Sequence, residues 1–496
     1  MITQITPWTE HEVRLFPSVH VSSEREAELR ATASLLATMR AVSEFGRAIV
    51  KLAGGPAGRL YCFTEVPFQL GKGIGQAPED LRPDGILAVE RGKTRWDALV
   101  EVKVGTADLE QDQVDRYHRL AKLEEFQALI TVSNQPAQAD GSPPPSVKVD
   151  GRRNIHIPVV HFSWERLLSE AQVLSRKKEV SDPDQKWMLD EWIRYIEDPN
   201  SRIIVAPDLG LKWGDVLSAA RTSALSPSSP ELQDVARSWV GYLRKAALRL
   251  RAKLGVEVEV RMSKSERDNS ELQARNAVNA QEGILTGVLR VPDAAGDITI
   301  KVILPSQSVQ YILQVAAPTE GRQATRVNWL SRQLREDRLP TGELAVTADW
   351  TIRGLITTVG ARDFLEDTNR LCLDKTGASV PRDANPRSFQ VVWTRALSKS
   401  RGRSSAPVLK GISDGLEEFY HGVVQDIVPF VPKAPRLDTK KPEGEAASQY
   451  PGGAGPATGG VILGHESTEL KQQDPTAAES SFAQSDTPTL SPNADE

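Results

Sequence analysis

The sequence predicts an α/β domain followed by a separate α+β domain. The first observation is the order of elements between Ser22 and Ser133, which is a helix, three strands, a helix and a further strand. The second is a new set of helices and strands that begins at Ser228. Because 496 residues exceed what one hydrophobic core usually organises, two folded domains are expected.

The end of the chain has a different composition. From about residue 433 it is rich in Pro, Gly, Ser, Thr and acidic residues, which cannot bury enough apolar surface to repay ordering. We therefore expect four segments: a first domain at 1–200, a linker at 201–227, an α+β domain at 228–432 and a disordered tail at 433–496.

The first domain opens with a pattern typical of one long amphipathic helix. Apolar residues recur at helical spacing from Ser22 to about Leu52, and Ser22 and Ser23 are candidate caps. Glycines after residue 53 end the pattern. The segment RLYCFTEVPFQL follows, and its aromatic and β-branched residues predict a strand.

Two apolar runs, GILAVE and WDALVEVKV, come next and predict an antiparallel hairpin because only the charged turn RGKTR separates them. A helix is expected from about Ala107 to Phe126. Further strands and helices follow from their apolar periodicity: ALITVS, IHIPVVHF, SWERLLSEAQVL and DQKWMLDEWIRYIED in the first domain, then a basic helix after Ser228, EVEVRMSKS, ILTGVLRVP, ITIKVILP, RVNWLSRQLRED, GELAVTADWTI and LEEFYHGVVQDIVPFV.

Composition excludes several classes of protein. The two cysteines, Cys62 and Cys372, form no CxxC pair, so neither a disulfide framework nor a structural zinc site is predicted. No signal peptide and no membrane-spanning run are recognisable, so we expect a cytoplasmic protein without a membrane partner. The net charge of -5 argues against a generally basic nucleic-acid coat but leaves room for a local groove.

One strand combines a buried face with a charged face. In VEVKV, Glu101 and Lys103 lie two residues apart and share a face, while three valines fill the other. The hairpin brings Asp84, at the start of the preceding strand, beside Glu101. Two carboxylates and the main-chain carbonyl of Val102 would then supply oxygen ligands for a hard divalent cation. Lys103 would orient a water molecule or stabilise developing charge.

Pro83-Asp84 followed by Glu101-Val102-Lys103 resembles the signature of the PD-(D/E)xK nucleases, and the resemblance covers about the first 200 residues. It implies an α-β-β-β-α-β core with a mixed sheet flanked by helices. It also implies Mg²⁺-dependent hydrolysis, with Mn²⁺ as an alternative, by Asp84, Glu101 and Lys103. Gln113 and Tyr117 stand where the RecB-like branch carries a Gln-x-x-x-Tyr pair, and the resemblance implies that they help position the nucleic-acid substrate or the lysine.

Two assignments stay open at this stage. The family's first helix commonly supplies another acid to the metal site, and Glu44 is the candidate, with Glu28 and Glu65 as competitors. Gln113 and Tyr117 share a helix face, so the Tyr ring could simply pack while the Gln is solvated. For the basic helix after Ser228, we favour a solvated cationic face over a stripe that binds phosphates.

The function expected from these residues is metal-dependent cleavage of DNA, in repair or in defence against foreign DNA. DNA is favoured over RNA as the partner. The second domain would serve recognition, a protein partner or self-association. The alternative is a non-catalytic stress-response or interaction protein that reuses the nuclease fold.

Overall fold

Two large β-sheets, each packed against its own hydrophobic residues, organise the described part of the chain. The computed structural model describes residues 15–16, 23–70, 79–137, 141–144, 146–149, 157–267, 269–398 and 404–432, which all belong to one compact unit that ends at Lys433. The tail expected at 433–496 lies outside the described residues. The apolar clusters of the first sheet use residues between 16 and 204, and the cluster of the second uses residues between 209 and 427.

The first sheet is mixed. Its strand order is β1-β4-β5-β6-β7, with β1, β4 and β5 antiparallel and β5, β6 and β7 parallel. A separate two-stranded sheet joins β2 to β3. The elements of this part are α1 (Glu24–Ala41), α2 (Ser43–Leu52), β1 (Arg59–Thr64), β2 (Phe68–Leu70), β3 (Glu79–Leu81), β4 (Gly85–Arg91), β5 (Thr94–Val102), α3 (Gln111–Leu123), β6 (Ala128–Ser133), β7 (Val159–Ser163), α4 (Trp164–Arg176) and α5 (Pro183–Glu197).

The prediction of a single long helix from residue 22 to residue 52 is wrong, because the helix is interrupted at Val42. Val42 takes an extended conformation with φ -100° and ψ 96°, and its N–H still bonds the carbonyl of Thr38 at 2.8 Å. The bend presses α2 onto α1, so that a Cβ on Gly46 would lie only 2.2 Å from the carbonyl oxygen of Met39. Glycine at this position therefore permits the close approach of the two helices.

The strand expected over RLYCFTEVPFQL also divides. Its first half is β1 of the large sheet, and its second half becomes β2 of the small one. Between them, Glu65 adopts a left-handed conformation with φ 50°, which turns the chain out of the first strand.

The second sheet is antiparallel throughout, in the order β14-β13-β15-β12-β11-β10-β8, with β9 paired to β10. Its central strands alternate buried and partly exposed residues, so one face packs in the core. The elements are α6 (Trp213–Arg221), α7 (Pro230–Leu254), β8 (Glu259–Val260), α8 (Lys264–Arg267), α9 (Ser270–Asn276), β9 (Val278–Asn279), β10 (Ile284–Arg290), β11 (Ile298–Ile303), β12 (Ser308–Ala316), α10 (Gln323–Ser331), β13 (Glu343–Trp350), β14 (Ile356–Gly360), α11 (Ala361–Glu366), β15 (Pro386–Ala396) and α12 (Ala406–Gly422).

Two differences from expectation concern this second part. Helix α6 lies inside the stretch predicted as a linker, and its Trp213 is buried in the second core. The cationic face of α7 is not simply solvated, because Arg251 is buried and bonds Glu170 of α4 and Glu257, both at 2.7 Å. Ion pairs of this kind join α7 to the first part of the chain.

Where the chain is described, every helix is too short or too polar to cross a lipid bilayer.

Candidate active site

The predicted signature residues meet at the carboxyl end of β5. Asp84 immediately precedes β4, Glu101 is the second-last residue of β5 and Lys103 follows that strand. The antiparallel register pairs Gly85 with Val100, which places Asp84 beside the end of β5. The carboxylate oxygen Oδ2 of Asp84 accepts a hydrogen bond from the N–H of Val102 at 2.7 Å. This bond fixes the carboxylate where the two strands part.

The alternation predicted for VEVKV is confirmed in the packing. Val100, Val102 and Val104 are buried in the core formed with α1, α2, α4 and α5. Glu101 therefore projects from the opposite face, which α3 covers. Burying three valines on one face of the strand holds Glu101 on the other, since side chains alternate along a strand.

Glu101 is almost fully buried, with 1% of its surface exposed. Its oxygen Oε1 accepts a hydrogen bond from Nε2 of Gln113 at 2.5 Å and lies 3.0 Å from Nζ of Lys103. Its second oxygen, Oε2, is buried and has no hydrogen-bond donor among the described residues. The carboxyl groups of Glu101 and Asp84 are close enough to form a hydrogen bond if one of them carries a proton.

These contacts set the ionisation of the two acids. Burial, reinforced by the charge of Asp84, raises the pKa of Glu101 from 4.5 to about 8, although Lys103 acts in the opposite direction. Burial also raises the pKa of Asp84, against the lowering effect of the Val102 N–H and of Lys103. Near neutral pH the pair therefore retains a proton unless a cation replaces it.

Lys103 lies between two acids. Its ammonium is 3.0 Å from Oε1 of Glu101 and 3.6 Å from Oε1 of Glu28 on α1. Burial alone would lower the pKa of Lys103, but Glu101, Glu28 and Asp84 together raise it above its ordinary value. Trp164, at the start of α4, donates its indole N–H to the carbonyl of Lys103 at 2.8 Å. The lysine is thus charged, and contacts to both its main-chain carbonyl and its ammonium group fix its position.

Gln113 and Tyr117 both face this cluster from α3. Gln113 contacts Glu101 directly and is not limited to solvent contact. The Tyr117 hydroxyl donates to the carbonyl of Arg82 at 3.1 Å, two residues before Asp84. Burial, together with the nearby charges of Glu101 and Asp84, raises the pKa of Tyr117. Gln113 thus orients one acid, and Tyr117 anchors the segment that carries the other.

The acid that the first helix brings to the cluster is Glu28. Glu44 lies on α2 and instead contacts Arg47 at 3.2 Å and the hydroxyl of Ser43 at 3.0 Å. The charge of Asp84 acts to raise the pKa of Glu28, and that of Glu65 acts to raise the pKa of Asp84. Glu28 and Glu65 therefore lie near enough to affect the pair through their charges, whereas Glu44 has its described contacts elsewhere.

The donor set fits a hard cation through oxygen atoms alone. Nowhere in the described ranges do three or more His, Cys, Asp or Glu side chains form a group that could hold a metal ion. A cation bound here would therefore need main-chain or water oxygens beside the two carboxylates. Lys103 donates its N–H to Val132 of β6, while Val102 donates to Asp84 on the other edge. Because the N–H and C=O of a strand residue point the same way, the Val102 carbonyl faces the Asp84 edge. Its role as a ligand stays a prediction.

Sequence reasoning missed two residues that shape this site, Trp164 and Arg82. Both act through hydrogen bonds that involve a main-chain carbonyl, and such bonds leave no signal in residue spacing. Glu28 had a signal, since it lies on the same helix as the apolar stripe, but the break at Val42 that separates it from Glu44 did not.

Comparisons of this chain with protein-family models, with curated proteins and with solved structures found no match.

Proposed function

We propose that this protein is a metal-dependent nuclease that hydrolyses DNA phosphodiester bonds at Asp84, Glu101 and Lys103. One observation carries the proposal. Two carboxyl groups lie side by side at a buried strand end, and one oxygen of Glu101 has no donor in the described part of the chain. Leaving such an oxygen buried and unsatisfied is costly, and a divalent cation would offset both that cost and the repulsion within the pair.

Each residue has a role that follows from its contacts. A bound Mg²⁺, or Mn²⁺ in its place, would neutralise charge on the phosphate and lower the pKa of the attacking water. Asp84 and Glu101 would hold it. Lys103, charged and 3.0 Å from Glu101, can donate a hydrogen bond to the phosphate or to the water at the same place. Gln113 and Tyr117 keep the acids aligned.

A second candidate is a non-catalytic stress-response or interaction protein built on the same fold. The observation that favours it is the pairing of Lys103 with both Glu101 and Glu28, which offsets part of the negative charge without a metal. In that case the cluster would be a structural ion network. Location in the cytoplasm, a role in repair or defence, and self-association or a protein partner through the second part belong to the proposal as well.

The test is incubation of purified protein with linear, circular and single-stranded DNA, and with RNA, in Mg²⁺, Mn²⁺ or chelator. Wild-type protein should cut at least one DNA substrate only when metal is present. Lys103→Ala should abolish turnover and keep metal binding, while Asp84→Ala should weaken metal binding itself. Lys122→Ala is the matched control, since Lys122 is an exposed lysine on α3.

The outcomes separate the two candidates. Cleavage by wild type and Lys122→Ala, with none by Lys103→Ala, supports the nuclease. Absence of metal-dependent cleavage on all substrates, together with undiminished folding of the wild type, supports the scaffold.

A further inference from the structure

A second site lies away from the acids, where the first part of the chain meets the second. A cavity of about 350 Å³ opens between the start of α4 and the segment that follows α7. Its walls come from His161 and Ser163 on β7, Arg166 on α4, residues 257–260, Met262 and Arg267. This volume lies within the range of small-molecule sites.

The walls carry more positive than negative charge. Four cationic side chains, Arg166, Arg244, Lys245 and Arg267, line the cavity together with two acidic ones, Glu257 and Glu259. One of the acids is already strongly compensated, because Glu257 accepts from Arg166 at 2.8 Å as well as from an arginine of α7 at 2.7 Å. The cavity therefore favours an anion.

Two further residues of the wall, Arg244 and His161, affect how strongly the cavity favours an anion. Burial lowers the pKa of Arg244 to about 10, which shows that its charge lies in a poorly solvated place. His161 bonds Thr131 through Nδ1 and the carbonyl of Gln135 through Nε2, both at 3.0 Å, and burial lowers its pKa to about 4. At neutral pH the histidine is thus an uncharged wall. Lys245 is already paired with Glu165 at 2.6 Å, so the arginines supply the excess positive charge.

The remaining wall is aliphatic. Leu248, Val258, Val260 and Met262 face the same space, and Val258 is buried in the second core. A bare inorganic anion would leave this apolar surface in contact with water. A ligand that covers it gains roughly 25 cal/mol for each Å² of apolar surface removed from water.

We propose that this cavity binds a small organic anion that has an apolar body. The anionic group lies against the arginines, and the body covers the aliphatic wall. The site is separate from Asp84 and Glu101 and does not depend on nuclease activity.

The test uses 1-anilinonaphthalene-8-sulfonate, a fluorescent organic anion of this kind, titrated into the full-length protein. Wild type should show one saturable site. Arg267→Glu should weaken binding about tenfold, because it replaces a rim cation with an anion. Met262→Trp should remove binding by filling the space, and circular dichroism checks that this variant folds. Lys264→Glu makes the same charge change outside the cavity and should bind as wild type does.

Competition between inorganic sulfate and the probe measures how much the aliphatic wall contributes to binding of the probe. Displacement of the probe only at far higher sulfate concentrations is the expected result. The proposal is overturned if wild type shows no saturable binding, if Arg267→Glu binds as tightly as Lys264→Glu, or if sulfate binds as tightly as the probe.

Discussion

Replacing Glu101 by Gln should change how the stability of the protein depends on pH. In the unfolded chain a glutamate loses its proton near pH 4.5, whereas in the fold burial and Asp84 raise the pKa of Glu101 to about 8. The stability that this group contributes is complete below pH 4.5, falls as pH rises and is gone above about pH 8. The slope is about 1.4 kcal/mol per pH unit, or roughly 5 kcal/mol at most over the whole interval.

Urea unfolding of wild type and Glu101→Gln from pH 5 to pH 9 measures this effect. Because residue 101 is then neutral at every pH, the variant should lose most of the slope and become the more stable protein at pH 9. Glu90→Gln, a change at an exposed glutamate of β4, should keep the wild-type slope. Since Mg²⁺ favours the ionised acid, excess Mg²⁺ should stabilise wild type more at pH 8 than at pH 5.

Two results would refute this reasoning. Equal slopes in wild type and Glu101→Gln would mean that Glu101 ionises at its ordinary pH in the fold. If the slope disappears in the variant but Mg²⁺ does not stabilise wild type at pH 8, the raised pKa of Glu101 would stand and the proposed metal site would be wrong.

Three further predictions concern the surroundings of the site and the joint between the two parts. Glu28→Gln should reduce the initial rate of DNA cleavage about tenfold, because it removes a charge 3.6 Å from Lys103. Glu44→Gln should leave that rate unchanged, and equal rates in the two variants would contradict the placement of Glu28. Gln113→Ala should lower kcat about 10- to 100-fold, because Glu101 loses the hydrogen bond that Gln113 donates. Gln111→Ala on the same helix is the control. An unchanged kcat in Gln113→Ala would show that Gln113 does not orient Glu101. Arg251→Met should lower the free energy of unfolding by about 3–5 kcal/mol, because it leaves the partly buried Glu170 and the half-exposed Glu257 without this partner. Urea unfolding measures the difference against Arg249→Met, a change at an exposed arginine of the same helix, and equal stabilities would show that the pairs contribute nothing.

The parts of the fold that a short repeat governs could be predicted from the sequence. The valine alternation around Glu101 placed β5 and its charged face correctly, and the turn RGKTR placed the hairpin. The two central strands β12 and β15 were missed, although each alternates buried and exposed residues in the structure. On one side β12 pairs with its neighbour β11, but on the other it pairs with β15 across about 80 residues, and a local pattern contains no information about that second pairing.

The same distinction between local patterns and tertiary contacts applies to the residues of the site. Residues that act through their own strand or helix period, such as Glu101 and Gln113, were found. The choice between Glu28 and Glu44 depended on a break at Val42 that relies on the close packing of Gly46 against Met39, which is a tertiary contact. Composition and spacing could name both acids but could not choose between them.

The joint between α4 and α7 also bears on how the chain is made. Glu165 and Glu170 pair with Lys245 and Arg251, about 80 residues later, at 2.6 Å and 2.7 Å. A ribosome adds residues in order, so these acids emerge before their partners exist. Until α7 has left the ribosome, α4 carries acidic groups that cannot be buried at low cost. The ion pairs between α4 and α7 can therefore form only after the second part has been synthesised.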